Sequence, residues 1–166
     1  MYTDFILLIN NYVKNINNEE IHMRTIKEII KEKGDRIWSV TQDTTVYDAL
    51  SLMAEKSIGA VLVLKNGILT GIMSERDYAR KIILKGKSSK DVPVSEIMST
   101  NVVYIDINTD IEECMALMIN KRIRHLPVYA NDKLSGVISI GDVVKALIDE
   151  KEVVINELEN YITGRR

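Results

Sequence analysis

Cysteine occurs once in this chain of 166 residues, as Cys114, and histidine twice, as His22 and His125. A lone cysteine excludes an intramolecular disulfide and a cysteine-based metal site, and it fits a reducing compartment. Two histidines without metal-ligand spacing argue against a metalloenzyme. There is no Walker-type loop, and no His/Cys or His/Asp arrangement beside a plausible nucleophile, so catalysis lacks support. An excess of one charge is also missing. Lys and Arg number 22 against 24 Asp and Glu, and the net charge of −2 gives no reason to expect nucleic acid as a partner. The longest N-terminal apolar run, residues 5–9, is too short for a signal-peptide core or a membrane span, and no basic residue precedes it. The expectation is a cytoplasmic protein that works without a membrane.

What is present is a repeat. Shifted by 65 positions, residues 40–84 fall on residues 105–149 without a gap, and 11 of the 45 pairs are identical. Composition alone would give roughly three. Leu69/Leu134, Gly71/Gly136, Ser74/Ser139 and Asp77/Asp142 share one pattern, L-x-G-x-x-S-x-x-D. At 46% hydrophobic and 28% charged, the chain is globular.

Each repeat reads strand, helix, strand, strand, helix. In the first, residues 37–40 form a short apolar strand. Val46, Ala49, Leu50 and Met53 recur at helical spacing behind the caps offered by residues 43–45. Residues 60–64 are a continuous apolar run, Asn66-Gly67 is a hairpin turn, and residues 68–73 return as its partner. Ser74 opens a helix to about Leu84, with Gly86 as its stop. The second repeat copies this, with a strand at 102–105, a helix face of Ile111, Cys114, Met115 and Met118, strands at 126–129 and 134–138 around Asn131-Asp132, and a last helix from Ser139. About 50 residues bury too little surface to fold alone, so the copies should pack sheet against sheet about a pseudo-twofold axis.

The resulting plan has a helical N-terminal extension (1–33), a first repeat (34–86), a connector (87–97), a second repeat (98–150) and a C-terminal helix (151–166). The last carries Val154, Leu158, Tyr161 and Ile162 on one side and is closed by Gly164. Residues 24–33 carry Ile26, Ile29 and Ile30 at helical spacing, closed by Gly34. Phe5, Leu8, Ile9, Tyr12, Val13 and Ile16 make a further stripe. That stripe either covers a partner surface or, if translation starts at Met23, is dispensable.

The motif places Ser and Asp where a strand hands over to a helix. One reading is structural: Ser-x-x-Asp is a capping box. The other is a site. A helix N-terminus presents unpaired N–H groups to a phosphate, a serine hydroxyl bonds phosphate or ribose oxygens, and an aspartate accepting from vicinal hydroxyls is a ribose signature. Together they describe a nucleotide.

The repeat resembles the cystathionine-β-synthase (CBS) domain, and the tandem resembles a Bateman module over roughly residues 35–150. The run from Ser74 to Lys81, SERDYARK, followed by GKSSKD at 86–91, is similar to stand-alone bacterial CBS-pair proteins and their mitochondrial relatives. The resemblance implies a mixed α/β fold of two βαββα units, an intramolecular pair and a disc-shaped homodimer. It also implies contacts of Ser74 and Asp77, and of Ser139 and Asp142, with the ribose and phosphate of adenosyl ligands. Ile58, Gly59 and Ala60 align with backbone and apolar base contacts. Arg124 and His125 align with a basic pair facing phosphates. The copies differ here: Arg122, Arg124 and His125 in the second replace Ser57, Gly59 and Ala60 in the first, while Arg76 becomes Gly141. One strong and one weak or empty cleft are therefore expected, and which cleft receives Arg124 depends on how the repeats cross.

The functional expectation is a non-catalytic adenine-nucleotide sensor of cellular energy or redox state. AMP is the first ligand, with ADP, ATP, NADH and S-adenosylmethionine behind it and no obligatory cofactor. Binding would alter conformation or dimer state and pass to a downstream protein that the sequence does not identify. The alternatives are a ligand-free dimerisation scaffold and, further off, an enzyme. Cys114 and the methionines read as core and Trp38 as core or cleft rim. Lys85, Lys87 and Lys90 read as a solvated connector.

Overall fold

A computed structural model describes residues 25–34 and 36–163. The stripe read in residues 5–16 lies outside them. Thr25 opens helix α1 (Ile26–Lys33) through a capping box with Glu28, and Gly34, at φ 78°, closes it. The first repeat then runs β1 (Ser39–Val40), α2 (Val46–Lys56), β2 (Ala60–Lys65), β3 (Ile68–Ser74) and α3 (Glu75–Lys81), with a 3-10 turn at Ile83–Lys85. The second runs β4 (Ile105–Asp106), α4 (Ile111–Lys121), β5 (His125–Ala130), β6 (Lys133–Ser139) and α5 (Ile140–Thr163).

The two sheets have one topology. β1 is parallel to β2 and β2 antiparallel to β3; β4, β5 and β6 repeat this order. Register shifts fall at Val63/Leu64 and Val128/Tyr129, 65 positions apart. The hairpins turn through Asn66 and Gly67 and through Asn131 and Asp132, all at positive φ as such tight turns require. Helices α2 and α4 both end in a left-handed residue, Ser57 at φ 53° and Arg122 at φ 55°.

Two elements differ from the sequence reading. The strands expected at 37–40 and 102–105 shrink to two residues each, because the stretches before them leave the sheet edge. The last helix does not end near 150. No glycine or proline interrupts residues 142–163, so α5 continues unbroken for 24 residues and absorbs the separate C-terminal helix. Of the side expected to be apolar on this extension, Val154 and Leu158 are half-buried and Ile162 is exposed. Among the described residues no helix is long and apolar enough to cross a membrane.

The core has two centres, and each is completed by a segment outside the matched repeat. In the first, Val46, Ala49, Met53, Val61, Val63, Met73 and Ile82 are joined by Val92, Val94 and Ile97 of the connector. In the second, Ile111, Cys114, Met118, Leu126, Val128 and Ile138 are joined by Ile26, Ile29 and Ile30 of α1. Burial, with Glu113 alongside, pushes the Cys114 thiol up to about 11, so it stays protonated and packs as a small hydrophobe.

The motif glycines are where these segments dock. A Cβ at Gly71 would lie 2.5 Å from Met98 Sδ, and one at Gly136 would lie 2.9 Å from Ile30 Cδ1. A side chain at either glycine would force the Met98 or Ile30 side chain to move from its seat on the sheet. On the other face, Leu62 and Pro127, again 65 apart, are buried away from the helices. The repeats meet there, with the ring of His125 3.2 Å from the Cβ position of Gly59.

This architecture makes α1 part of the second repeat's core. Ile26 is fully buried. Ile26→Ala should cost about 2–5 kcal/mol in urea unfolding, whereas a detachable extension would lose no more than about 0.5 kcal/mol.

Candidate functional site

The Ser-x-x-Asp pairs form capping boxes in both copies. Ser74 donates to Asp77 Oδ2 from its backbone N–H at 3.0 Å and from its hydroxyl at 2.6 Å, and Asp77 N–H donates back to Ser74 Oγ at 3.4 Å. Ser139 and Asp142 repeat this at 2.7, 2.7 and 3.3 Å. The copies then diverge. Asp77 meets Lys81, one turn along α3, through its other oxygen Oδ1 at 2.8 Å. Asp142 meets Lys33, the last residue of α1, at 2.6 Å and through the same Oδ2 that caps its helix. Burial works to raise the Asp142 pKa, but the Lys33 and Ser139 bonds outweigh it and hold the carboxyl below its ordinary value.

Each motif faces a cleft whose opposite wall comes from the other repeat. The first cleft, about 590 Å³, joins Ser74, Arg76 and Asp77 to Arg122, Arg124 and His125. The second, about 660 Å³, joins Ser139 and Asp142 to Ile58, Gly59 and Ala60. Gly59, Ala60 and His125 line both. The crossing thus puts Arg124 with Ser74 and Asp77, which the sequence left open. Arg76 reaches across the junction to donate from Nη1 to the Arg122 carbonyl at 3.0 Å, so two of the cleft's guanidinium-bearing residues are tied together.

Several lining residues escaped the sequence reading. Arg80, Ser99 and Asn101 belong to the first cleft, and Lys33, Arg36 and Lys56 to the second. Trp38, expected in the core or at a rim, lies in the second cleft's wall under the Lys56 ammonium, 4.5 Å from its ring centre. The missing signal was the 65-residue offset carried upstream of Val40. It pairs Arg36 with Asn101 and Trp38 with Val103, and both members of each pair line clefts. Each cleft therefore combines one repeat's Ser and Asp with the lead-in and helix-to-strand turn of the other.

A family model for the CBS domain matches residues 23–84 and again 94–149. The chain belongs to the CBS-domain family. It is 40% identical over 150 residues to the mitochondrial CBS domain-containing protein CBSX3 of Arabidopsis thaliana, covering 84% of this chain and 72% of that protein. A solved CBS-domain protein from Burkholderia ambifaria superposes with a TM-score of 0.73 at 49% identity, over 76% of this chain and 95% of that one. The crystal structure of CBSX2 in complex with AMP superposes at 0.60 with 26% identity, over 76% and 98%. Both matched CBS segments start upstream of the 45 aligned pairs, and they take in α1 and the end of the connector, with Val94 and Ile97, which finish the opposite cores.

His125 stands where the CBS repeats meet and borders both clefts. Burial first, then the positive charge of Lys33, lower its pKa from the ordinary 6.5; Asp142 opposes this and Arg124 adds to it. The unfolded chain takes up a proton that the folded chain resists, so stability falls as pH drops through 6.5. His125→Gln should flatten the dependence of the urea midpoint on pH between about 7 and 5.

Proposed function

We propose that this CBS pair is a non-catalytic adenine-nucleotide sensor and that the cleft of Ser74 and Asp77 is its stronger site. One observation carries the reading: Arg122 and Arg124 of the second repeat converge on the cleft that holds Ser74, Arg76 and Asp77 of the first. Guanidinium groups bind phosphate by charge-assisted, often paired, hydrogen bonds. Asp77 accepts from ribose hydroxyls, and the apolar wall of Ile72, Val102 and Val103 holds the base. AMP is the first ligand, supported by the AMP complex of CBSX2; ADP, ATP, NADH and S-adenosylmethionine share the adenosyl unit. In the second cleft Ser139, Asp142, Ile58, Gly59, Ala60 and His125 form the weaker site. A ligand that touches both repeats tightens their junction. Exposed apolar side chains such as Ile83, Leu84, Ile119 and Ile148, each more than half exposed, are available to a homodimer or a downstream protein.

A second reading is a scaffold without ligand. It is favoured by the capping boxes, in which Ser and Asp already satisfy each other.

Thermal unfolding separates the two. Nucleotide at 100 times its Kd adds about 2.7 kcal/mol, or roughly 5–10 °C for a chain of this size. The sensor reading fails if none of the five ligands moves the midpoint of nucleotide-free protein. Arg124→Ala should lose about 1.5–3 kcal/mol of AMP affinity, roughly 10- to 150-fold, while adenosine binding stays unchanged. Asp77→Ala should lose both at this cleft.

A further inference from the structure

Helix α5 carries an exposed apolar seam. Val144, Ile148, Ile155 and Ile162 are 40%, 51%, 53% and 80% exposed. With Lys151 and Leu158 they recur in steps of four, three, four, three and four residues. Ile148, Ile155 and Ile162 then hold the a positions of a coiled-coil seam, and Val144, Lys151 and Leu158 the d positions. Leu158 is half-buried and Lys151 exposed. Neither core reaches past Leu147, so the seam from Ile148 onward belongs to neither.

The charges along the seam fit one occupant. Lys145, Glu152 and Glu159 flank it at the e positions, and Leu147 and Val154 at the g positions. Among the described residues, Lys145, Lys151, Glu152 and Glu159 form no ion pair. Laid antiparallel on itself about Val153, the seam sets Val144 against Ile162, Ile148 against Leu158 and Lys151 against Ile155, and a two-fold axis makes each contact twice. Lys145 then lies beside Glu159 of the second copy. The two Glu152 meet near the axis, with both Lys151 beside them. A parallel pair would instead stack the two Lys151 in one layer and lay Glu152 and Glu159 along Leu147 and Val154.

We propose that this seam docks a second copy of the chain, with the two α5 helices antiparallel. The proposal deepens the homodimer part of the proposed function and rests on it. The root of α5 lines the second cleft through Ser139 and Asp142. The tip of each copy therefore lies along the helix rooted at the other copy's second cleft, and a ligand there acts on both chains.

The test uses the full chain without nucleotide, by sedimentation equilibrium and by thiol cross-linking, with circular dichroism to check that each variant is folded. Cys114 is buried, so an introduced thiol reacts alone. The wild type should be a dimer. Ile155→Lys, at an exposed position, should weaken it about tenfold or more, because each copy loses a buried layer beside Lys151. Chains with Val144→Cys mixed with chains with Ile162→Cys should link on mild oxidation, and neither variant should link to itself. Self-linking of each variant would mean parallel helices and overturn the proposal. A dimer that Ile155→Lys leaves unchanged, and whose mixed cysteines do not link, uses another face; the seam then fails while the homodimer stands. A monomeric wild type overturns the seam and the homodimer together. Nucleotide binding to the same protein reports on the sensor reading separately.

Discussion

The fold depends on a crossing: the core of each repeat is closed by apolar side chains from the segment that leads into the other repeat. Ile26, Ile29 and Ile30 fill the second core, and Val92, Val94 and Ile97 fill the first. Burial of a large aliphatic side chain is worth about 1.5–3 kcal/mol relative to exposure, so either set of three weighs heavily against a net stability of about 5–15 kcal/mol for a domain. The connector is held by backbone as well. Val46 N–H donates to the Val92 carbonyl at 2.9 Å and Val94 N–H to the Thr44 carbonyl at 2.8 Å.

The clefts follow from the crossing. A chain that leaves α1 toward β1 passes the Ser139 motif, and one that leaves the connector toward β4 passes the Ser74 motif. Residues 36–38 and 101–103 therefore become cleft walls rather than strand. The left-handed residues Ser57 and Arg122 turn the chain from helix into β2 and β5, and they deliver Ile58–Ala60 and Arg122–His125 to the opposite motifs. A non-glycine residue in that conformation costs roughly 1–2 kcal/mol. Arg122 bears that cost at the place where its charge meets the first cleft.

The internal repeat was legible in the sequence, and with it both sheets, both hairpins and the Ser and Asp of each motif, because identical residues at a fixed offset imply identical local structure. The pairing of walls was not legible. Apolar spacing at Ile26, Ile29 and Ile30 identifies a buried helix face but not the surface it covers, so α1 read as an extension. The strand pattern at 102–105 was apolar enough for a sheet, yet Val102 and Val103 line the first cleft instead. The plan ended the second repeat at 150 and set a separate helix after it, although residues 149–152 are only polar. Residues that are merely polar do not stop a helix, and nothing there bends the backbone. Lys33 was invisible as a cleft residue because only the crossing brings it to Asp142, 109 positions away.

Helix α5 begins at the Ser139 capping box and runs 24 residues without a break. At about 1.5 Å per residue it is roughly 36 Å long. Its root lines the second cleft, and among the described residues neither core includes any of it beyond Leu147. Geometry alone makes it a long arm rooted beside the candidate site: a tilt of about 5° at the first turn would carry the tip roughly 3 Å, a displacement on the scale at which packed interfaces change partners.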